Sequence, residues 1–243
     1  MKRVNLETYT YRELKEMARE MGLLNRRSKV ELIRDISIGF KEYESYKKEK
    51  LDRYSRLRQL GEKGKEGTTY LVEADGEQYA MKTFRKQKSS AMLRKEAELQ
   101  NMAAEHGASP KVIDIDTVSK YIVMEKLDRH LYDTIKKNGG ALSQNTQKQI
   151  IAIYKKLDRA GVFHGDANLL NYMFKGRQLY IIDFGMAKEI TNSLVYKLGT
   201  NTPNLRIMTL GLVLKLKEIG APRSAYSYLS KQLSEEQRSQ FEL

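Results

Sequence analysis

An α+β fold with a small helical unit at its N-terminal end is predicted by three observations. Residues 1–38 place apolar side chains at helical spacing behind two capping patterns. From Leu60 the texture changes to short strand-like runs punctuated by glycine turns. Beyond Ser143 a long apolar-striped helix delivers the chain to a cluster of acidic and amide side chains. At 243 residues with 40% hydrophobic content, the chain can bury one substantial core and a smaller one. Formal net charge is +13 and the isoelectric point near 9.6, which favours anionic partners such as nucleotide, nucleic acid, acidic protein or membrane surface. Cysteine is absent, which excludes disulfides, thiolate metal sites and a cysteine nucleophile and suits a reducing compartment. No apolar run approaches the ~20 residues of a membrane-spanning helix, and Met1–Leu6 does not read as a secretory signal, so an intracellular protein without membrane association is expected.

Each element follows in order. Thr10–Glu13 forms a capping box ahead of Leu14, Met17, Ala18 and Met21, and Gly22 supplies a stop. After a basic turn, Ser28–Glu31 opens a second helix whose expected apolar face is Val30, Ile33 and Ile36, with Leu32 beside it. Residues 39–58 are dense in charge with interspersed tyrosines and read as a linker helix. Gly61, Gly64 and Gly67 then recur every three residues between two strand-like runs, where glycine permits close backbone approach to phosphate. Asp75-Gly76 reads as a hairpin turn, and the next strand, Tyr79–Lys82, ends in a lysine. Ser90–Ala104 is a predicted helix bearing Glu96 and Glu98. Strands follow at Val112–Ile115 and Tyr121–Glu125, and Gly139-Gly140 breaks the chain before the helix predicted over Ser143–Ala160. Leu205–Ile219 reads as a core helix, and residues 220–243 as short helices with a polar tail.

The chemistry is concentrated in His164-Gly165-Asp166-Ala167-Asn168-Leu169-Leu170-Asn171 and in Asp183-Phe184-Gly185, which the apolar run Leu179–Ile182 leads into. Asp166 is a carboxylate able to accept a hydroxyl proton. Asn171 and Asp183 are hard oxygen donors suited to Mg²⁺ on a nucleotide. The interval from Asp166 to Asn171 equals that of the kinase loop H-R-D-x-x-x-x-N, and D-F-G follows at the appropriate separation.

Taken together, residues 57 to about 220 resemble the protein-kinase superfamily, and H-G-D with a compact C-terminal part resembles its atypical branch, in particular the small kinase of the KEOPS complex and the RIO kinases. The resemblance implies a two-lobed minimal kinase fold, with an N-lobe over 59–126 and a C-lobe over 127–243, binding ATP and Mg²⁺ and acting on a protein substrate. It further implies that Asp166 handles the acceptor hydroxyl, Asn171 and Asp183 hold the metal, and Lys82 touches the α- and β-phosphates. Glu96, preferred over Glu98, would pair with Lys82. Gly61, Gly64 and Gly67 would roof the phosphates. Ala80, Met124, Met173 and the backbone of Glu125 and Leu127 would surround adenine. His164 would pack against Phe184 rather than act as a base. Residues 4–38 resemble a SAP-type nucleic-acid-binding hairpin, which implies phosphate contacts from Arg26, Arg27 and Lys29 and a possible DNA partner. A SAP-like unit on a small kinase is similar in domain order to kinases of large cytoplasmic DNA viruses.

Departures from the pattern carry expectations too. The glycine loop has one extra residue between its first two glycines, and Thr69 replaces a valine. Gly165 replaces the arginine that meets a phosphorylated loop, which argues against loop phosphorylation as a control. Asn168 stands in place of a lysine, no A-P-E follows, and Arg206 occupies the place of an aspartate that braces the catalytic loop. These losses favour slow protein or self phosphorylation, or ATP hydrolysis. Two other readings compete: a small-molecule phosphotransferase, which shares H-G-D-x-x-x-x-N, and a DNA-associated scaffold that retains nucleotide binding.

Overall fold

The computed structural model describes residues 6–21, 23, 28–39, 53–62, 64, 66–85 and 87–243. Gly22, the turn with Arg26 and Arg27, and most of the expected 39–58 linker lie outside the described residues. The chain divides into two compact units, one of residues 1–93 with 115–122, the other of 94–114 with 123–243.

The first unit opens with α1 (Tyr11–Glu20), where Thr10 Oγ1 accepts the Glu13 amide and the Glu13 carboxylate accepts the Thr10 amide, closing the expected capping box. The second box closes in the same way between Ser28 and Glu31 ahead of α2 (29–39). Leu6, Leu14, Met17, Ala18, Leu32 and Ile36 bury one another between these helices. Val30, expected on that face, is instead 77% exposed. It stands about 200° around the helix from Leu32 and 240° from Ile36, so the stripe that turns inward is Leu32, Ile33 and Ile36.

Strands β1 (Ser55–Leu60), β2 (Gly67–Ala74) and β3 (Glu77–Phe84) form an antiparallel meander. The first begins inside the segment expected to be linker helix. Its residues pair with β2 from Ser55 onward, and Tyr54 is buried edge-on against Tyr79 and Tyr121. Asp75 and Gly76 both have positive φ, 54° and 78°, as a two-residue hairpin turn requires. The sheet is completed by β4 (Val112–Asp116) and β5 (Tyr121–Glu125) in the order β1-β2-β3-β5-β4, and the turn between these two strands belongs to the first unit.

Most of α3 (Ser90–Glu105) belongs to the second unit. There β6 (Arg129–His130), α4 (Leu131–Lys137) and α5 (Gln144–Arg159) are followed by β7 (Val162–Phe163), β8 (Tyr172–Lys175) and β9 (Gln178–Ile181). Then come β10 (Lys188–Glu189), α6 (Asn192–Leu198), α7 (Thr209–Glu218), α8 (Ser227–Ser230) and α9 (Glu235–Gln240). The inner face of α5 places Ile150, Ile151, Tyr154 and Leu157 in a core shared with Leu131, Tyr172, Ile181, Leu212 and Leu216. The helix expected over Leu205–Ile219 divides into a π-helical stretch, Asn204–Met208, and α7.

Candidate functional site

In the second unit, β7 pairs with β10 and hands the chain to His164 at the edge of this core. Gly165 turns the backbone with φ 77°, and a Cβ built there would lie 3.2 Å from the Met186 carbonyl oxygen. The absent arginine therefore has a local cause: an L side chain here is strained in φ and crowded. Asp166 Oδ1 accepts the Asn168 amide at 3.2 Å, and Asn168 Oδ1 accepts the Leu170 amide at 3.0 Å. These two side-chain turns fold the loop back so that Asn171 Nδ2 donates to Asp166 Oδ2 at 2.8 Å. With its nitrogen aimed at Asp166, Asn171 has Oδ1 as the atom to offer a cation. Strand β9 brings up Asp183, which is exposed in the left-handed region at φ 68°, ψ 76°. Carboxylate oxygens of Asp183 and Glu96 lie within 4.8 Å of each other. Two converging carboxylates are hard oxygen donors that fit Mg²⁺, and the Asn171 amide oxygen is a donor of the same kind.

His164 is fully buried and packs edge-on against Phe184, with ring centroids 5.0 Å apart. Its Nε2 donates to the Ile182 carbonyl at 3.0 Å, and its Nδ1 faces the Asp166 amide at 3.4 Å. Burial is the dominant influence and lowers its pKa, so the imidazole is neutral, with both nitrogens engaged by backbone. Its contacts are thus the Asp166 amide, the Ile182 carbonyl and the Phe184 ring.

Asn204, which sequence reasoning did not single out, supports this loop. Fully buried, it accepts the His164 amide on Oδ1 at 3.0 Å and donates from Nδ2 to Asp158 Oδ1 and the Val162 carbonyl, each at 2.7 Å. Asp158 in turn accepts the amides of Asn204 and Leu205. Burial raises the Asp158 pKa despite these bonds. Arg206, the residue expected at the bracing position, is exposed. The sequence signal for Asn204 is an amide following Pro203, just ahead of the apolar run that begins at Leu205.

On α3, Glu96 is 4% exposed, whereas Glu98 stands in solvent and pairs with Lys95 at 3.3 Å. Lys95 also pairs with Glu189. Among the residues expected around adenine, Met124 accepts a long contact from Gln100 Nε2, 3.6 Å, and Leu127 is buried. The Glu125 amide donates to the Lys111 carbonyl at 3.0 Å, so an adenine contact at that residue falls to its carbonyl. Met173 is half-buried on β8, paired with Tyr180.

In the first unit, Gly67 is required sterically, because a Cβ there would sit 1.9 Å from the Thr83 carbonyl oxygen. Gly61 has φ 67°, while Gly64 is exposed with an ordinary φ. Ala80 is buried on β3, and Lys82, two residues on, lies opposite Thr69. Glu66, a residue not singled out from sequence, reaches Lys82 at 3.8 Å and Lys88 at 3.0 Å, while both ammonium groups lie 4.9 Å from the centre of the Phe84 ring. A glutamate of the glycine loop is thus an ion-pair partner of the candidate phosphate lysine. The nucleic-acid candidate Lys29 is exposed at the start of α2, with Nζ donating to the Glu7 carbonyl at 3.3 Å.

Residues 54–206 match the family model described as a protein kinase domain. A probable serine/threonine-protein kinase, BUD32 homolog, of Archaeoglobus fulgidus is 31% identical over 85 residues, which is 35% of this chain and 40% of that protein. The KEOPS complex subunit Bud32 of Pyrococcus abyssi is 30% identical over 96 residues, 39% of this chain and 44% of that protein. A probable serine/threonine-protein kinase of Dictyostelium discoideum is 27% identical over 151 residues, 58% of this chain and 29% of that protein. The chain spans less than half the length of these curated relatives.

Proposed function

Because the chain belongs to the protein kinase family, we propose that it is an ATP-Mg-dependent atypical serine/threonine protein kinase, acting inside the cell and modifying chiefly itself or a docked protein. The observation that carries this reading is the Asp166–Asn171 hydrogen bond at 2.8 Å. It orients the carboxylate for an incoming hydroxyl while turning the amide oxygen outward. Asn171 and Asp183 would hold the magnesium, which screens negative charge on the phosphate oxygens. Lys82 would hold the α- and β-phosphates, and Asp166 would receive the proton of the acceptor hydroxyl. The names of the archaeal and Dictyostelium relatives support the serine/threonine class.

For residues 1–38 we propose attachment to DNA through the basic turn, a reading supported by the paired capped helices, by exposed Lys29 and by the net charge. The likeness to viral kinases rests on the same helical pair preceding a kinase domain. Among the described residues no helix is long and apolar enough to cross a membrane.

The test is transfer of radiolabel from ATP by the wild type, Asp166→Ala and Asp183→Ala. Label in the wild type alone is expected, and equal label in all three rejects the reading. ATP consumption that requires an added amino-alcohol would assign a small-molecule phosphotransferase instead.

A further inference from the structure

The helical pair is joined to the kinase strands by a small, partly buried polar knot. Glu16, on α1, accepts the Ser90 hydroxyl on Oε2 at 2.9 Å and lies 3.4 Å from Lys120 Nζ. Lys120 Nζ also donates to Ser90 Oγ at 3.0 Å. Ser90 is 3% exposed, and its hydroxyl also lies 3.1 Å from the Thr117 carbonyl. Beside the knot, Val118 packs on the apolar cluster of α1 and α2. Asp116 Oδ1 accepts the amides of Val118 and Ser119, which fixes the turn that carries Val118 and Lys120.

The importance of these partners lies in what each is attached to. Ser90 is the first residue of α3, the helix that bears Glu96. Lys120, at φ 57°, accepts the amide of Phe84 on its carbonyl at 2.7 Å, at the end of the strand that bears Lys82. One carboxylate on α1 therefore ties down both the start of α3 and the turn hydrogen-bonded to the end of β3. Glu16 and Lys120 are mostly withdrawn from water, with side chains 21% and 16% exposed, so removing Glu16 leaves the Lys120 charge poorly solvated and without this partner, whereas removing Lys120 leaves Glu16, among the described residues, only the Arg12 cation, at 3.8 Å.

We infer that Glu16 is a positioning residue of the kinase: the N-terminal helices brace α3 and the β4–β5 turn through it, so their docking sets the rate of phosphoryl transfer. The helical pair is then a control element as well as an attachment device, because any partner that lifts α1 off the knot would slow the enzyme. This inference rests on the proposed kinase activity.

The test uses the full chain and four forms: wild type, Glu16→Ala, Lys120→Glu, and the swap Glu16→Lys with Lys120→Glu. The swap also carries Arg12→Gln, because Arg12 Nε lies 3.8 Å from Glu16 Oε1 and would face a like charge; the hydroxyl of Ser90 can donate to one partner and accept from the other in either arrangement, so this form preserves the knot. Each single variant is expected to lower kcat for autophosphorylation roughly tenfold with a smaller change in KM for ATP, and the swap to recover most of the loss. Hydrogen exchange at the amides of 91–95 and 118–122 should rise in the single variants and return in the swap, a readout that needs no turnover. Single variants with wild-type rates and wild-type exchange would overturn the brace. A swap no better than the single variants would overturn it as well. A wild type that is inactive would instead count against the kinase reading, with exchange alone deciding the brace.

Discussion

Asn204 Oδ1 accepts the backbone amide of His164 at 3.0 Å, so a side chain forty residues downstream holds the first residue of the candidate catalytic loop. The same amide group spans to Asp158 and to the Val162 carbonyl, linking α5, β7 and the π-helical stretch before α7. Replacing Asn204 by Leu would leave the His164 amide and one Asp158 oxygen buried without this partner. A loss of about 2–4 kcal/mol in denaturant stability is expected, with phosphoryl transfer falling more than in Arg206→Ala, whose side chain is exposed. Equal stability of the two variants would show that the brace lies elsewhere.

Burial lowers the His164 pKa, so the unfolded chain binds a proton there more readily than the folded one. The stability that neutral His164 preserves is intact above the ordinary value near 6.5, and it is lost as pH falls from there through the depressed folded value. Asp158 shifts upward from 3.8, in the opposite sense and in a more acidic range. Melting temperatures at pH 7.5 and 5.5 should therefore fall further for the wild type than for His164→Gln, which does not titrate. Parallel curves would mean that His164 is not buried neutral.

Glu66 is 44% exposed, so its pairing with Lys82 is screened and worth less than a buried ion pair. Its negative charge nonetheless stands beside the lysine that would meet nucleotide phosphates. Glu66→Gln is expected to lower KM for ATP about two- to fivefold with kcat little changed, in line with the ~0.5–1 kcal/mol of a partly exposed pair. A raised KM would mean that Glu66 instead orients Lys82 for the nucleotide.

The Asp166–Asn171 contact was legible because the motif fixes residue types at a fixed interval: the two meet through side chains five positions apart. The capping boxes at Thr10 and Ser28 were legible for the same reason, as each closes within four residues. Asn204 was not, because its partners, His164 and Asp158, are distant in sequence and no local pattern marks a single buried amide. Val30 shows a different failure. Three apolar residues at approximate helical spacing fit two alternative stripes, and packing against α1 chose the one through Leu32. Glu66 carries no signal of its own because the pattern of this loop lies in its glycines, whose value lies in what they lack.

That value is most testable at Gly67. A Cβ at this position would lie 1.9 Å from the Thr83 carbonyl oxygen and 2.9 Å from the carbonyl carbon, both backbone atoms of β3. No side-chain rotation relieves such a contact, so β2 and β3 must part at the pair formed by Gly67 and Phe84. Thr83 follows Lys82 directly, so displacement of β3 here also moves the candidate phosphate lysine. Gly67→Ala is expected to cost about 3 kcal/mol or more and to abolish the thermal stabilisation by ATP-Mg that the proposed function predicts for the wild type. Gly64→Ala, where the nearest atom to a Cβ is the Gly67 oxygen at 3.4 Å, should leave stability within experimental error. A Gly67→Ala protein with wild-type melting and an intact ATP-Mg shift would show that the loop does not lie against β3.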